Sequence, residues 1–325
     1  MPLFRRAKKA AVPAGSPVPP WCSGFTPADW QAFQDLLNDV FLDGNTSGPP
    51  MRFGAERHLR LGAENEPGIP LDLAEIAAIV RPLDRKDWRA ATVAHLTRQL
   101  EIRDRREALH RAGLEEVRHL VLPRVVPADT VGEEHALTTP LTTELSAVVV
   151  LRIDAGLSAA VPPGQFRSWG VTENEVWAAA LDNLRGEPVR LDTDGKANPM
   201  MCVEGEAGFT CTHLLRAAEI LGRPAPLGIL AMIPHEESFY LQAVHGPDLH
   251  SQLVGYSSVV RDNWEKAPAE QRLSPKVLWI HEGEIEAVGV EPAPPGSDRP
   301  GVIRGSERFL GILASFRPPD PEPGP

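Results

Sequence analysis

Five residues combine a chemically able side chain with a suggestive position: Asp154, Cys211, His213, His235 and Glu236. Asp154 closes the apolar run Ala147–Asp154, where a strand-end carboxylate can work as a base or cap the turn that follows. Cys211 opens an apolar segment that runs to Leu221. Read as a helix N-terminus, that position lowers a thiol pKa, so Cys211 is the first candidate for a reactive cysteine. Cys202 and His213 lie close enough in sequence to join it, although small buried thiols are the commoner outcome. His235-Glu236-Glu237-Ser238-Phe239 begins like the zinc motif H-E-x-x-H, but Phe239 stands where the second ligand belongs. Pro234 in front of it predicts a turn rather than a helical face.

Other templates fail at a defining residue. His245 and His250 are five apart, which places them on different faces of a helix. Gly255-Tyr256-Ser257-Ser258 lacks the second glycine of a nucleophile elbow and falls inside a predicted helix. Asp192-Thr193-Asp194-Gly195-Lys196 has too few spaced oxygens for a calcium loop and too few glycines for a P-loop, and reads as a hairpin turn. There is no G-x-G-x-x-G. No metal and no cofactor are therefore expected. Trp21, beside Phe25 at the end of a proline-rich head, is the candidate partner-binding residue, since an exposed Trp can anchor a protein partner.

The elements that must position these residues fall in two groups. Thr26, Pro27 and Asp29 start a helix over Thr26–Leu42, with Trp30, Phe33, Leu36, Leu37, Val40 and Phe41 as its buried face. A short strand at Arg57–Leu61, an apolar helix at Leu71–Val80 and a polar helix at Lys86–His110 follow. The second half is richer in strands. Ala147–Asp154 and Leu157–Val161 predict one hairpin, Pro188–Asp192 and Met200–Glu204 a second, Leu227–Ile233 and Ser238–Ala243 a third, and Val277–His281 and Glu284–Val288 a fourth. Helices are predicted at Cys211–Leu221, Asp248–Glu265 and Gly305–Phe316. The best-specified helix start is Thr172, an N-cap with Glu175 completing a capping box, ahead of an apolar stripe of Val176, Trp177, Ala180, Leu181 and Leu184. The pattern implies an α+β fold with a mixed or antiparallel sheet and flanking helices. Residues 1–24 read as a disordered basic arm, 25–130 as a helical lobe with one short strand, 131–316 as an α+β domain, and 317–325 as a disordered tail.

Composition narrows the partners. The net charge of −11 repels phosphate backbones and argues against nucleic acid and anionic membranes. Three cysteines without a CxxC pair suit reduced thiols in a cytoplasmic protein. No apolar run is long enough to span a membrane. The basic head is followed by Pro13, Pro17, Pro19 and Pro20 rather than by the apolar core of a secretory leader. Oligomeric state is not legible in the sequence.

Trp169-Gly170-Val171-Thr172-Glu173, continuing to Ala180-Leu181-Asp182-Asn183-Leu184, resembles the YtpQ-like family of uncharacterised bacterial proteins. Shorter pieces are similar in order: Leu59-Arg60-Leu61, Gly68–Leu73, Val148–Asp154, Ala231-Met232-Ile233-Pro234 and Leu273-Ser274-Pro275-Lys276. The resemblance spans about residues 27–290 and implies a mixed α+β cytoplasmic bacterial protein. It carries over no catalytic residue. The basic head, the proline-rich tail and several loop insertions depart from the family's pattern.

Two functions follow. The first is a non-catalytic binding or adaptor protein that uses an acidic surface and a groove between its lobes, with a protein as its partner. The second is an enzyme, hydrolase-like or thiol-dependent, whose residues converge only in the fold. The two are separated by whether two or more of the five residues meet within hydrogen-bond reach in a concave pocket with shifted pKa values.

Overall fold

A computed structural model describes residues 17–42, 57–61, 69–132, 134–193, 195, 200–205, 208–291 and 301–316. Residues 1–16 and 317–325, the bulk of the expected disordered arm and all of the tail, lie outside the described residues. The fold is α+β, and among the described residues every strand pairing is antiparallel. The chain divides into two compact units, Met1–Asp104 and Arg105–Pro325, so the division falls earlier than the expected 130/131 boundary.

The first unit contains α1 (Pro27–Leu42), β1 (His58–Leu61), β2 (Ile69–Asp72), α2 (Leu73–Val80) and the greater part of α3 (Trp88–Arg111). All six residues expected on the inner face of α1 are buried. They pack with Leu73, Ile76, Val80 and Trp88 in one cluster. Leu71, expected in a helix, belongs instead to β2, because Asp72 is the N-cap and accepts from the Ala74 N–H at 2.8 Å. The Arg57 guanidinium forks onto the Asp72 carboxylate, which holds that carboxyl below its usual range, with burial opposing.

This unit corrects the reading of Trp21 and Phe25. Pro20–Cys22 forms a 3-10 turn that folds back on α1. Trp21 is half-buried and meets Trp30 edge-on, ring centres 5.5 Å apart. Phe25 is buried and stacks on Trp88 at 5.6 Å. Rings that each remove a large apolar area from water are worth more inside this core than as a free anchor.

The second unit adds α4 (Leu114–Val117), β3 (Val121–Pro127), β4 (Thr138–Pro140), β5 (Leu145–Asp154), β6 (Leu157–Ala160), α5 (Pro163–Trp169), α6 (Glu173–Gly186), β7 (Arg190–Thr193), β8 (Met201–Glu204), α7 (Ala217–Leu221), β9 (Ile229–Met232), β10 (Phe239–Ala243), α8 (Leu249–Lys266), β11 (Val277–His281), β12 (Glu284–Glu291), β13 (Val302–Arg304) and α9 (Glu307–Ser315). β5 is the spine of a small sheet, with β3 on one side and β4 and β6 on the other. The larger sheet runs β13-β12-β11-β9-β10-β8-β7. On one face, α8 and α9 bury Leu249, Leu253, Val260, Phe309 and Leu313 against Trp279, Val288 and Val290. On the other face, Leu214, Ala217, Ile220 and Leu221 pack on Ala231, Leu241 and Leu278.

The Trp169–Leu184 block ties α6 to its surroundings. Gly170 ends α5 in the left-handed conformation. Thr172 and Glu175 form the reciprocal capping box, and Val176, Ala180 and Leu184 are buried. The Trp169 indole donates to the Ala112 carbonyl at 3.0 Å, and the Asn183 amide donates to the carbonyls of Arg118 and Val121. Trp177 and Leu181, also expected on the buried stripe, are only half-buried.

Candidate functional site

The expected helix from Cys211 is a 3-10 segment, Thr210–Arg216, that becomes α-helical only at Ala217. Thr210, Cys211 and Thr212 are poor helix formers, and Thr212 spends its hydroxyl accepting from the Val125 N–H at 3.3 Å. The loss of an α-helical N-terminus at Cys211 corrects the expected thiol chemistry. The Cys211 Sγ–H points at the carbonyls of His235 and Ser238, at 3.0 and 3.2 Å. Burial pushes the thiol pKa well above its ordinary value, although the Ser238 backbone bond opposes the rise. Cys202 is half-buried and is also raised, first by burial and then by Glu204 and Asp192.

The structure brings Cys211, His235 and Glu236 to one place, the turn between β9 and β10. His235 Nε2 lies 2.8 Å from Ser238 Oγ, and the backbone of the turn is pinned by Glu236 N–H donating to Gln271 O. Arg124 donates to the Glu236 carboxylate at 2.7 Å and to Ser158 Oγ at 3.2 Å. Arg124 and Arg152 both lie over the Phe209 ring, 6.0 and 5.2 Å from its centre, and Arg152 pairs with Glu187 at 2.8 Å. These bonds hold the turn and the small sheet in register. Asp154 accepts from the Ala155 N–H at 2.9 Å and so caps the β5–β6 turn.

His213 is fully buried, and among the described residues neither ring nitrogen has a hydrogen-bond partner. Its ring packs against Gly205, where an added Cβ would come within 3.2 Å of Cδ2 and Nε2. Desolvation, with Arg216 adding to it and Glu187 opposing, drops its pKa to about 4, so the ring is neutral at neutral pH. Among the described residues no group of three or more His, Cys, Asp and Glu side chains is arranged to hold a metal ion.

The thiol assignment predicts a labelling order. With the native protein and a thiol-specific aromatic disulfide, Cys202 reacts first, while Cys211 and Cys22, both buried, react only on unfolding. Peptide mapping of the labelled chain checks this; fast native modification of Cys211 would refute the assignment.

A cleft of about 890 Å³ that the sequence reading missed lies elsewhere in the second unit. One wall is the 3-10 segment with α7, contributing Leu214, Arg216, Ala217, Ala218 and Glu219. The β11–β12 hairpin lines it from both faces of the sheet, with Ile285 on the α7 face and His281, Glu284 and Glu286 on the α8–α9 face, joined at the tip by Glu282. Thr139, Pro140 and Leu141 border one end, and Ser306 and Arg308 another. The cleft exists because the cover of this face, the 3-10 segment and α7 with Val125 and Leu145 of the small sheet, stops short of the β11–β12 hairpin, the sheet's strands at about 4.8 Å spacing extending beyond it. Ile280, Ile285 and Ala287 are consequently only partly buried on this face of the sheet. The hairpin turns through Glu282 and Gly283, both at positive φ (50° and 85°), as a two-residue type I′ turn requires. His281 stacks on Trp279 at 5.0 Å, and its Nε2 lies 3.0 Å from the Pro226 carbonyl.

The charges of the cleft are mostly paired. Arg308 bonds Glu282 and lies 3.7 Å from Glu284. Glu286 accepts from the Ser306 hydroxyl at 2.6 Å, and Arg185 pairs with Glu219 at 3.1 Å. Arg216 differs: its guanidinium donates to the backbone carbonyls of Leu184 and Glu187, at 2.9 and 3.4 Å. Hydropathy of the hairpin gave a signal for the floor, since Ile280 and Ile285 are apolar at same-face positions. Nothing in the sequence marked Arg216. Among the described residues no helix is long and apolar enough to cross a membrane. Comparison of the chain with protein-family models, curated proteins and solved structures finds no match.

Proposed function

We propose that this chain is a non-catalytic binding protein of the cytoplasm and that the cleft beside the β11–β12 hairpin is where it holds its ligand. The carrying observation is the cleft itself: about 890 Å³, with an apolar floor, a charged rim and a rigid frame of sheet and helix. A volume in the range of ligand pockets, lined this way, is the usual architecture for holding a partner group or a small molecule. Membership of the YtpQ-like family is part of the same proposal, supported by the Trp169–Leu184 block.

The meeting of Cys211, His235 and Glu236 favours a second reading, a thiol-dependent enzyme. Against it stand the burial of the thiol, its two carbonyl acceptors and the engagement of Glu236 by Arg124. Equilibrium dialysis of the protein against a bacterial metabolite extract, followed by mass spectrometry of both compartments, separates the two. The binding reading expects compounds retained with the protein and recovered unchanged. Protein-dependent disappearance of a compound with appearance of its product would establish the enzyme.

A further inference from the structure

We propose that the cleft takes a small amphipathic organic anion, with its carboxylate toward Arg216 and its apolar body over Ile280 and Ile285. This rests on the reading of the cleft as a binding site and adds the class of ligand. The argument starts from the accounting of charge. Glu219, Glu282 and Glu286 each have a partner within the protein, and Glu284 lies near Arg308. Among the described residues no carboxylate pairs with Arg216, whose only acceptors are the two backbone carbonyls of Leu184 and Glu187. A guanidinium held by carbonyls keeps its full charge and a fixed plane, so it meets a carboxylate with little loss of side-chain entropy. His213 beside it is neutral, so the cations of this wall are Arg216 and Arg223, and Arg223 has interactions of its own.

The floor selects the rest of the ligand. Ile280 and Ile285 present partly exposed apolar side chains on the same face of the sheet, with buried Leu214, Ala217 and Ile229 around them. Covering them with an alkyl chain or ring removes apolar area from water, which favours binding. At the hairpin tip two carboxylates, Glu282 and Glu284, share the single charge of Arg308, and the net negative charge disfavours a second anionic group there, so a monoanion with an uncharged tail is preferred over a dianion.

Isothermal titration calorimetry with octanoate, octanol, octylammonium and octanedioate tests this directly. Octanoate is expected to bind saturably, and each of the other three at least tenfold more weakly. Ala218→Glu adds a carboxylate to the same wall of the cleft as Arg216, at an exposed position of α7, and should weaken octanoate at least fivefold with an unchanged melting temperature. Arg216→Lys, which keeps a cation but loses the fork, should lower affinity and leave the preference for octanoate over octanol. Octanol binding as tightly as octanoate, or Ala218→Glu leaving octanoate binding unchanged, would overturn the anion assignment. If none of the four probes binds while dialysis still retains other metabolites unchanged, the ligand class is wrong and the binding reading stands.

Discussion

Acidification from pH 6.5 to pH 4 should cost this fold about 3 kcal/mol through His213 alone, more than any exposed charge can contribute. His213 titrates near 6.5 when unfolded and at about 4 when folded, so over this range the unfolded chain binds the proton more readily. Stability is therefore full above pH 6.5, falls by about 1.4 kcal/mol per pH unit below it, and levels off near pH 4. The physical cause is an imidazole with no exposed surface, no hydrogen-bond partner among the described residues and Arg216 beside it. The carboxylates held low by their partners, such as Asp72 and Glu175, keep their contribution above the ordinary carboxylate range and lose it only as the pH falls through and below that range. His110, also depressed by burial and by Arg106, adds in the same direction. Urea unfolding at pH 7, 5.5 and 4.5 measures the slope. His213→Leu should remove His213's share and leave only the remainder from His110. An unchanged slope in His213→Leu would show that the proton is taken up elsewhere.

Gly228→Ala should destabilise the second unit by roughly 2–4 kcal/mol, the combined cost of a left-handed backbone and a steric clash. Gly228 sits at φ +93°, at the entrance to β9. A Cβ there would stand 2.8 Å from the Ile280 carbonyl, a backbone atom that cannot swing away, and would also press on the Trp279 indole. The same indole donates to Leu227 O at 3.0 Å and stacks on His281, so the clash spreads into the floor of the cleft. Thermal melting reads the loss, and the Trp279 fluorescence should shift with it. A wild-type melting temperature in Gly228→Ala would mean that the backbone is free to relax here. The comparison substitution, Gly283→Ala in the hairpin turn, has a positive φ of 85° but nothing within 4 Å of the added carbon, so it should cost only the backbone term of about 1–2 kcal/mol.

Local rules were enough wherever the stabilising interaction is local. The Thr172–Glu175 box, the inner face of α1, the hairpin at Ala155-Gly156 and the β11–β12 pair were all legible from spacing and turn residues. β3 was not, because Pro123 and Pro127 speak against a strand; it is tolerated since β3 pairs on one side only, with β5. The segment from Cys211 read as an α-helix, whereas the tertiary bond between Thr212 and Val125 goes with a 3-10 form over Thr210–Arg216. Trp21 read as exposed because its contact with Trp30 comes from a different element. The candidate site was the least legible. The cleft arises from a mismatch in width between a sheet and its cover, and Arg216 matters through two carbonyls about thirty residues upstream. Neither is a property of a short stretch of sequence.

The central claim is that function resides in the cleft and not at the Cys211–His235–Glu236 turn. A thermal-shift screen of metal salts, nucleotides and small organic acids, run in parallel on the wild type, Ile285→Trp and Cys211→Ala, tests it most directly. Ile285→Trp fills the cleft from a partly exposed position on its floor, and Cys211→Ala removes the thiol. The account predicts saturable shifts with organic acids in the wild type, retained in Cys211→Ala relative to its own baseline and lost in Ile285→Trp. Shifts that survive in Ile285→Trp and vanish in Cys211→Ala would contradict it.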